Sequence, residues 1–336
     1  MTYQYRTPEK GKHKKGFRWF LIGTILVGGI LYYLANRYLI QHVEIADVTT
    51  VATEVSAKTN TADSQSVATV VSVNSSSDTQ SVDSATVYAD DWNYQGNGIS
   101  ITITEVSTGS GSDKVTYFVA DVVITDATQL QSAFANDSFG LNIIDYTSTI
   151  AAENNAIFAI NGDYYGFRSD GIVIRNGIIY RDLPARTGLA FYKDGTMKIY
   201  DETQTTAQQL IDEGVWNTLS FGPALVQDSE LVENLERVSI DNNIGNHSIQ
   251  GDNPRTGVGI ISANHFVFVV VDGRSEGYSR GVSLTEFAQI FADLGCTDAY
   301  NVDGGGSSTM YFMGRVVNNP LGRNKERGTS DILFIG

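Results

Sequence analysis

The chain has 336 residues, 42% of them apolar and 18% charged, with a formal net charge of −15. Its 17 Tyr and 15 Phe exclude wholesale disorder, and the acidic balance argues against a nucleic-acid partner, which needs clustered Lys and Arg. A single Cys, Cys296, excludes an internal disulfide framework and a Cys-rich metal site, and only four His argue against a multi-histidine metal centre.

Charge is unevenly spread. Residues 1–40 carry seven bases and one acid, whereas residues 41–336 carry sixteen bases and thirty-seven acids. Arg6, Lys10, Lys12, Lys14, Lys15 and Arg18 precede a charge-free run at 19–35, flanked by Trp19, Tyr32, Tyr33 and Tyr38. That pattern predicts a membrane-spanning signal anchor over 19–40, with the basic tail 1–18 cytoplasmic and everything beyond Ile40 outside the cell membrane. A cleaved secretory signal shares the basic flank, but Leu34-Ala35-Asn36 makes a poor cleavage site.

Seventeen of the thirty-nine residues at 48–86 are Ser or Thr, and no aromatic occurs from Leu39 to Val87. So little bulky apolar surface cannot offset the entropy of ordering, and 41–87 reads as a disordered stalk. Aromatics return at Tyr88, Trp92 and Tyr94, opening a single domain over 88–336. Period-two alternation predicts strands at 99–106 and 115–124. Shorter strands are expected at 157–160, 172–174 and 178–179, the last two joined by Asn176-Gly177, with a hairpin over 191–199 and central strands at 258–261 and 266–271. Ser283-Leu284-Thr285-Glu286 is a capping box opening a helix whose apolar face is Leu284, Phe287, Ala288, Phe291 and Leu294. Further short helices are expected at 128–134, 148–154 and 205–214. Strands outnumber helices without regular alternation, which predicts an α+β fold with a mixed sheet.

Four segments place Gly beside Asp, Asn or Arg at strand ends: Asn161-Gly162-Asp163-Tyr164-Tyr165-Gly166, Asn253-Pro254-Arg255-Thr256-Gly257, Asp272-Gly273-Arg274, and Asn301-Val302-Asp303-Gly304-Gly305-Gly306-Ser307-Ser308. Each alone is an ordinary turn former. Three consecutive Gly exceed what a turn needs, and their expected use is a nest of N–H groups around an anion, with Ser307 and Ser308 adding hydroxyls. Asp303 would repel a phosphate there unless Arg255 and Arg274 grip it; the competing role for both Arg is a surface salt bridge.

In this order the four segments resemble the phosphodiester glycosidase family, whose members include an animal lysosomal enzyme that removes N-acetylglucosamine from a sugar phosphodiester. The resemblance runs from about Asp121 to Ile335 and takes in Phe221-Gly222-Pro223-Ala224-Leu225 and the closing stretch from Arg327 to Phe334. Tyr164-Tyr165 stands where Phe is common in the family, and the animal enzyme's cysteine-rich additions are missing. The resemblance implies hydrolysis of a glycosyl phosphodiester, here in a surface or exopolysaccharide-type polymer. Asp163, Asp272 and Asp303 are the candidate nucleophile or base. Asn161, Arg255, Thr256, Arg274, Asn301, Gly304, Gly305, Gly306, Ser307 and Ser308 are the candidate phosphate and substrate contacts. No cofactor is required by this chemistry; a lesser reading has Asp163 and Asp303 hold Ca²⁺ or Mg²⁺. The rival functions are a non-catalytic polysaccharide-binding protein and a metal-dependent phosphodiesterase.

Overall fold

The computed structural model describes residues 12–48, 87–240 and 248–336, with backbone alone for 12–17. The chain divides into two units between His42 and Val43. In the first, the expected apolar segment is a helix, Lys12–Tyr38, whose 21-residue portion Arg18–Tyr38 has a mean hydropathy of 1.6. That length and composition suffice for a span, and its large apolar side chains, such as Trp19, Ile25 and Leu31, are exposed. Most of the expected stalk, 49–86, lies outside the described residues. Its opening residues are ordered: the short strand His42–Ala46 lies beside Ser138–Leu141, and Val48 is buried against Phe134, Phe139, Tyr165 and Val173. The aromatic partners come from distant sequence, so local composition carried no sign of them.

The second unit is built on a nine-stranded sheet. Its spatial order is Glu230–Leu231, Ala224–Gln227, Asp298–Val302, Arg255–Ser262, His265–Val271, Val115–Ile124, Ile99–Thr108, Asn93–Gly96 and Tyr88–Ala89. A five-stranded sheet runs Arg315–Val316, Met310–Phe312, Phe158–Asn161, Asp331–Ile335, Gln131–Phe134. A three-stranded sheet (Thr187–Tyr192 between Met197–Asp201 and Val215–Leu219) and the hairpin Gly171–Arg175/Ile178–Leu183 complete it. The strand-rich α+β class is as expected. The sheets are not mixed: neighbouring strands in all four run antiparallel.

The alternating strands bury Ile99, Ile101, Ile103, Phe118, Ala120, Val122 and Phe268 in the main core, where the sheets face one another and Phe158 meets Phe268 at 5.1 Å. The opposite face of the large sheet carries the helix Leu284–Asp293, with the anticipated capping box between Ser283 and Glu286. One expected helix is absent. At 128–134 the chain makes a 3-10 turn, Ala127–Gln129, capped by Asp126, and then the strand Gln131–Phe134, because pairing with Asp331–Ile335 satisfies its backbone.

Gly257 and Gly259 let the helix settle on the strand Arg255–Ser262. A Cβ at Gly257 would lie 2.8 Å from the Phe287 ring and 2.9 Å from that of Phe291. Gly257→Ala is expected to cost about 1–3 kcal/mol by overpacking, read as a lowered denaturation midpoint with an unchanged m-value.

Candidate active site

Antiparallel register gathers the motifs. Arg255 lies opposite Val271 and Thr256 opposite Val302. The chain therefore enters the sheet at Arg255 on the edge where it leaves at Asp272-Gly273-Arg274 and at Asp303-Gly304-Gly305. The fourth motif arrives from the smaller sheet, where Asn161 ends the strand Phe158–Asn161 opposite Ile332.

A cleft opens along this edge, lined among others by Tyr164, Phe221, Arg255, Arg274, Asp303 and Arg327. Arg255 is 3% exposed and donates to the carbonyls of Val282 (3.1 Å), Ile249 (2.7 Å) and Gly251 (3.0 Å). Among the described residues no carboxylate lies within ion-pair distance of it. Burial, and after it the neighbouring Arg274, pull its pKa down to about 10, so it stays cationic at neutral pH. Arg274 donates to Asn253 Oδ1 at 2.8 Å, and burial and Arg327 lower its pKa. Its backbone is in the left-handed region, φ 59°, uncommon for a side chain of this size. Arg327 Nη2 reaches Asp303 Oδ2 at 3.1 Å and Ser307 Oγ at 2.8 Å. Among the described residues three guanidinium groups thus share the cleft with one carboxylate, an arrangement that favours an incoming anion. Opposite in character is the aromatic lining: Tyr164 and Phe221 meet edge to face at 6.0 Å, with the Arg168 guanidinium 5.3 Å from one ring centre and 4.9 Å from the other.

Of the three expected carboxylates, only Asp303 lines the cleft. Asp163 is 1% exposed; its oxygens accept from the N–H groups of Tyr164 (2.7 Å) and Ser220 (2.6 Å), and Arg175 lies 3.7 Å away. Asp272 is equally buried and accepts from Asn318 Nδ2 (2.8 Å), Asn319 N–H (2.9 Å) and the Tyr278 hydroxyl (2.8 Å). Burial raises its pKa against these donors. Both carboxylates are placed to shape loops: Asp163 the aromatic wall, Asp272 the turn that carries Arg274.

Asn161 is fully buried, donating to the Asp303 carbonyl (2.7 Å) and accepting from Thr256 Oγ1 (2.8 Å) and Thr309 N–H (3.2 Å). Asn161 and Thr256 therefore hold the floor beneath Asp303. Asn301 lines the cleft; its Nδ2 donates to the Gly222 carbonyl at 2.8 Å, and its buried Oδ1 has no partner among the described residues.

Three of the five N–H groups expected to form a nest, from Gly304 to Ser308, are already engaged within the protein. Gly305 donates its N–H to the Pro254 carbonyl at 2.9 Å, and Ser307 and Ser308 donate theirs to the carbonyls of Gly304 and Gly305, each at 3.3 Å. The glycines instead allow close approach. A Cβ on Gly304 would lie 2.8 Å from the Pro254 oxygen, and one on Gly306 3.1 Å from Arg327 Cβ. Ser307 accepts from Arg327, while Ser308 is buried with its hydroxyl unpartnered among the described residues.

The aromatic pair also separates. Tyr164 lines the cleft, whereas Tyr165 stacks on Phe139 at 5.1 Å in a side core. For a metal, Asp163 and Asp303 are not part of a common cluster: among the described residues no three His, Cys, Asp or Glu side chains stand together as a ligand set. Arg327 was not among the expected site residues. Its sequence signal is its place at the start of the closing stretch that shares the family resemblance, where it stands as a basic residue just before the last strand.

The phosphodiester glycosidase family model matches residues 154–336, more than half of the chain, and the chain belongs to that family. It is 33% identical over 206 residues to the SPbeta prophage-derived uncharacterized protein YomE of Bacillus subtilis (strain 168); the match takes in 59% of this chain and spans 30% of that protein's length. Its fold is similar to that of the catalytic domain of zebrafish N-acetylglucosamine-1-phosphodiester alpha-N-acetylglucosaminidase, solved auto-inhibited by pro-peptide. That similarity has a TM-score of 0.56 and 20% identity, covering 75% of this chain and 88% of that one. A hypothetical protein from Synechocystis gives a TM-score of 0.54 at 15% identity, covering 75% of this chain and 64% of that one.

Beneath the aromatic wall, Arg175 Nε bonds Asp331 Oδ2 at 2.8 Å, and Asp331 Oδ1 accepts from the Asp163 N–H at 2.7 Å. Burial raises the Asp331 pKa to about 6, Arg175 opposing and Asp163 reinforcing the rise. A folded-state pKa above the ordinary 3.8 means the folded form holds this proton more tightly, so this group's contribution to stability falls as pH rises from about 4 to about 6. Asp331→Asn should flatten the stability–pH curve in that window, by up to about 3 kcal/mol across it. Urea titrations of both proteins at a series of pH values measure the difference in slope.

Proposed function

We propose that the protein hydrolyses the bond between a sugar's anomeric carbon and a phosphodiester, in a surface or exopolysaccharide-type polymer outside the cell membrane. The observation that carries this reading is the convergence of Arg255, Arg274 and Arg327 on one cleft with, among the described residues, a single carboxylate, Asp303, and an aromatic wall. The guanidiniums suit a phosphate; Tyr164 and Phe221 suit the apolar face of a sugar ring. Family membership supports glycosidase chemistry on a linkage of this type.

In this reading Arg255 and Arg274 hold the phosphate, and Arg327 bridges it to Asp303. The C1–O bond breaks with both electrons leaving on the phosphate. A phosphate monoester is a weakly basic leaving group, so no second carboxyl is needed to protonate it. That agrees with a cleft holding one carboxylate among its described residues, where ordinary glycosidases use two. Asp303 either attacks the anomeric carbon or takes a proton from the attacking water. Asn161 fixes the main chain from which it projects.

Asp303→Asn keeps size and hydrogen-bonding capacity but removes the charge. It is expected to lower kcat by at least about a hundredfold with little change in melting temperature. The assay is release of free sugar from a panel of sugar-1-phosphodiesters; full activity in this variant would overturn the role of Asp303, and no release by the wild type would leave the non-catalytic binding protein as the better reading. Water labelled with heavy oxygen separates the metal-dependent phosphodiesterase: label should enter the sugar, not the phosphate.

Arg274→Ala is expected to lower kcat/KM by about 2–4 kcal/mol in transition-state terms, mainly through KM. Arg255→Ala should do the same and also lower the melting temperature, since three carbonyls lose their donor.

For the anchor, we propose that the helix Lys12–Tyr38 crosses the membrane with its basic end inside. Protease added to intact cells should then reach the residues after Val87; protection until the membrane is permeabilised would reverse the orientation.

A further inference from the structure

We infer that Glu326, which lies outside the cleft lining, is a positioning residue that sets where the Arg327 guanidinium points. The inference rests on the reading above, in which Arg327 serves the anion. The Arg327 side chain is about half exposed (49%), and a long side chain in that setting would sample many rotamers unless its backbone were fixed. Its backbone is held from both sides. Arg327 N–H donates to the Gly306 carbonyl at 3.1 Å, and two residues on, Thr329 exchanges a pair of backbone hydrogen bonds with Asp145 (2.8 and 3.1 Å).

Glu326, on the N-terminal side of Arg327, supplies a further hold. One carboxylate oxygen accepts from Ser148 N–H at 3.0 Å and the other from Ser148 Oγ at 2.5 Å. Ser148 belongs to the first turn of the helix Thr147–Glu153, where N–H groups have no partner within the helix. The segment from Glu326 to Thr329 is thereby clamped to 145–148, an element that contributes nothing to the cleft lining. The guanidinium can then reach Asp303, Ser307 and the Gly304 carbonyl together. The carboxylate of Glu326 is engaged by Ser148 through both oxygens, which assigns it a geometric rather than a charge role.

The test compares Glu326→Ala with Glu326→Gln in the full chain. Gln can accept from Ser148 N–H through its oxygen and donate to Ser148 Oγ through its amide, so it preserves the clamp without the charge. Glu326→Ala should raise KM for a sugar-1-phosphodiester about tenfold or more and lower kcat by no more than about threefold, since the anion-holding group is misplaced while Asp303 remains. Glu326→Gln should return both constants to within about twofold of wild type. Unchanged kinetics in the Ala variant, or equal damage from Ala and Gln, would overturn the assignment. Should Glu326→Ala fail to fold, Ser148→Ala removes one of the two bonds and is expected to shift KM in the same direction. If the wild type turns over no member of the panel, the functional reading itself fails, and the clamp is judged on inorganic phosphate binding. Weaker binding in Ala and recovery in Gln support it; no difference between them overturns it.

Discussion

The cleft depends on one side chain that belongs to neither of its walls. Asn161 ends a strand of the five-stranded sheet and reaches across to bond the Asp303 main chain and the Thr256 hydroxyl of the nine-stranded sheet. It also accepts from Thr309, just past the Gly-rich loop. A fully buried amide needs all its partners, since each unmet group costs about 1–3 kcal/mol away from water. The two sheets therefore cannot slide relative to one another at this edge without breaking several bonds at once. What the core holds together through apolar contact, Asn161 holds in register through direction.

Around that fixed point the protein tolerates an unfavourable charge arrangement. Arg255 is buried without a carboxylate partner among the described residues, and Arg274 stands close enough to lower its pKa further. Carbonyls of Ile249, Gly251 and Val282 supply partial compensation. Such a cluster is costly to fold, a feature in keeping with the anion site proposed above. Asp163 and Asp272 serve the same end from behind. Asp163 ties the Tyr164 main chain to that of Ser220, and Asp272 ties the Tyr278 hydroxyl, on the loop after Arg274, to the Asn319 main chain.

The glycines show how one residue type meets two needs. At Gly304 and Gly306 a missing Cβ admits the Pro254 carbonyl and the Arg327 stem; at Gly257 it admits two aromatic rings from the covering helix. An isolated Gly-rich run would offer all its N–H groups as a nest; here the neighbouring strand end supplies a carbonyl that takes the Gly305 N–H.

Local patterns determined much of this protein. Period-two alternation marked the strands Ile99–Thr108 and Val115–Ile124, the capping box marked the helix Leu284–Asp293, and an uncharged run marked the N-terminal helix. The four motifs marked which strand ends matter, because Gly beside Asp, Asn or Arg is a chemical signal that survives without coordinates. Which of the three Asp residues faces the cleft was not legible, since all three sit in similar turn-like contexts and differ only in the distant groups folded against them. Arg327 was visible only as the first residue of the closing stretch, with no role attached, and Glu326 was silent, an ordinary charged residue in a polar loop. Tertiary structure decided these points, because antiparallel register and the crossing of two sheets, rather than spacing along the chain, determine which side chains share water and which share one another.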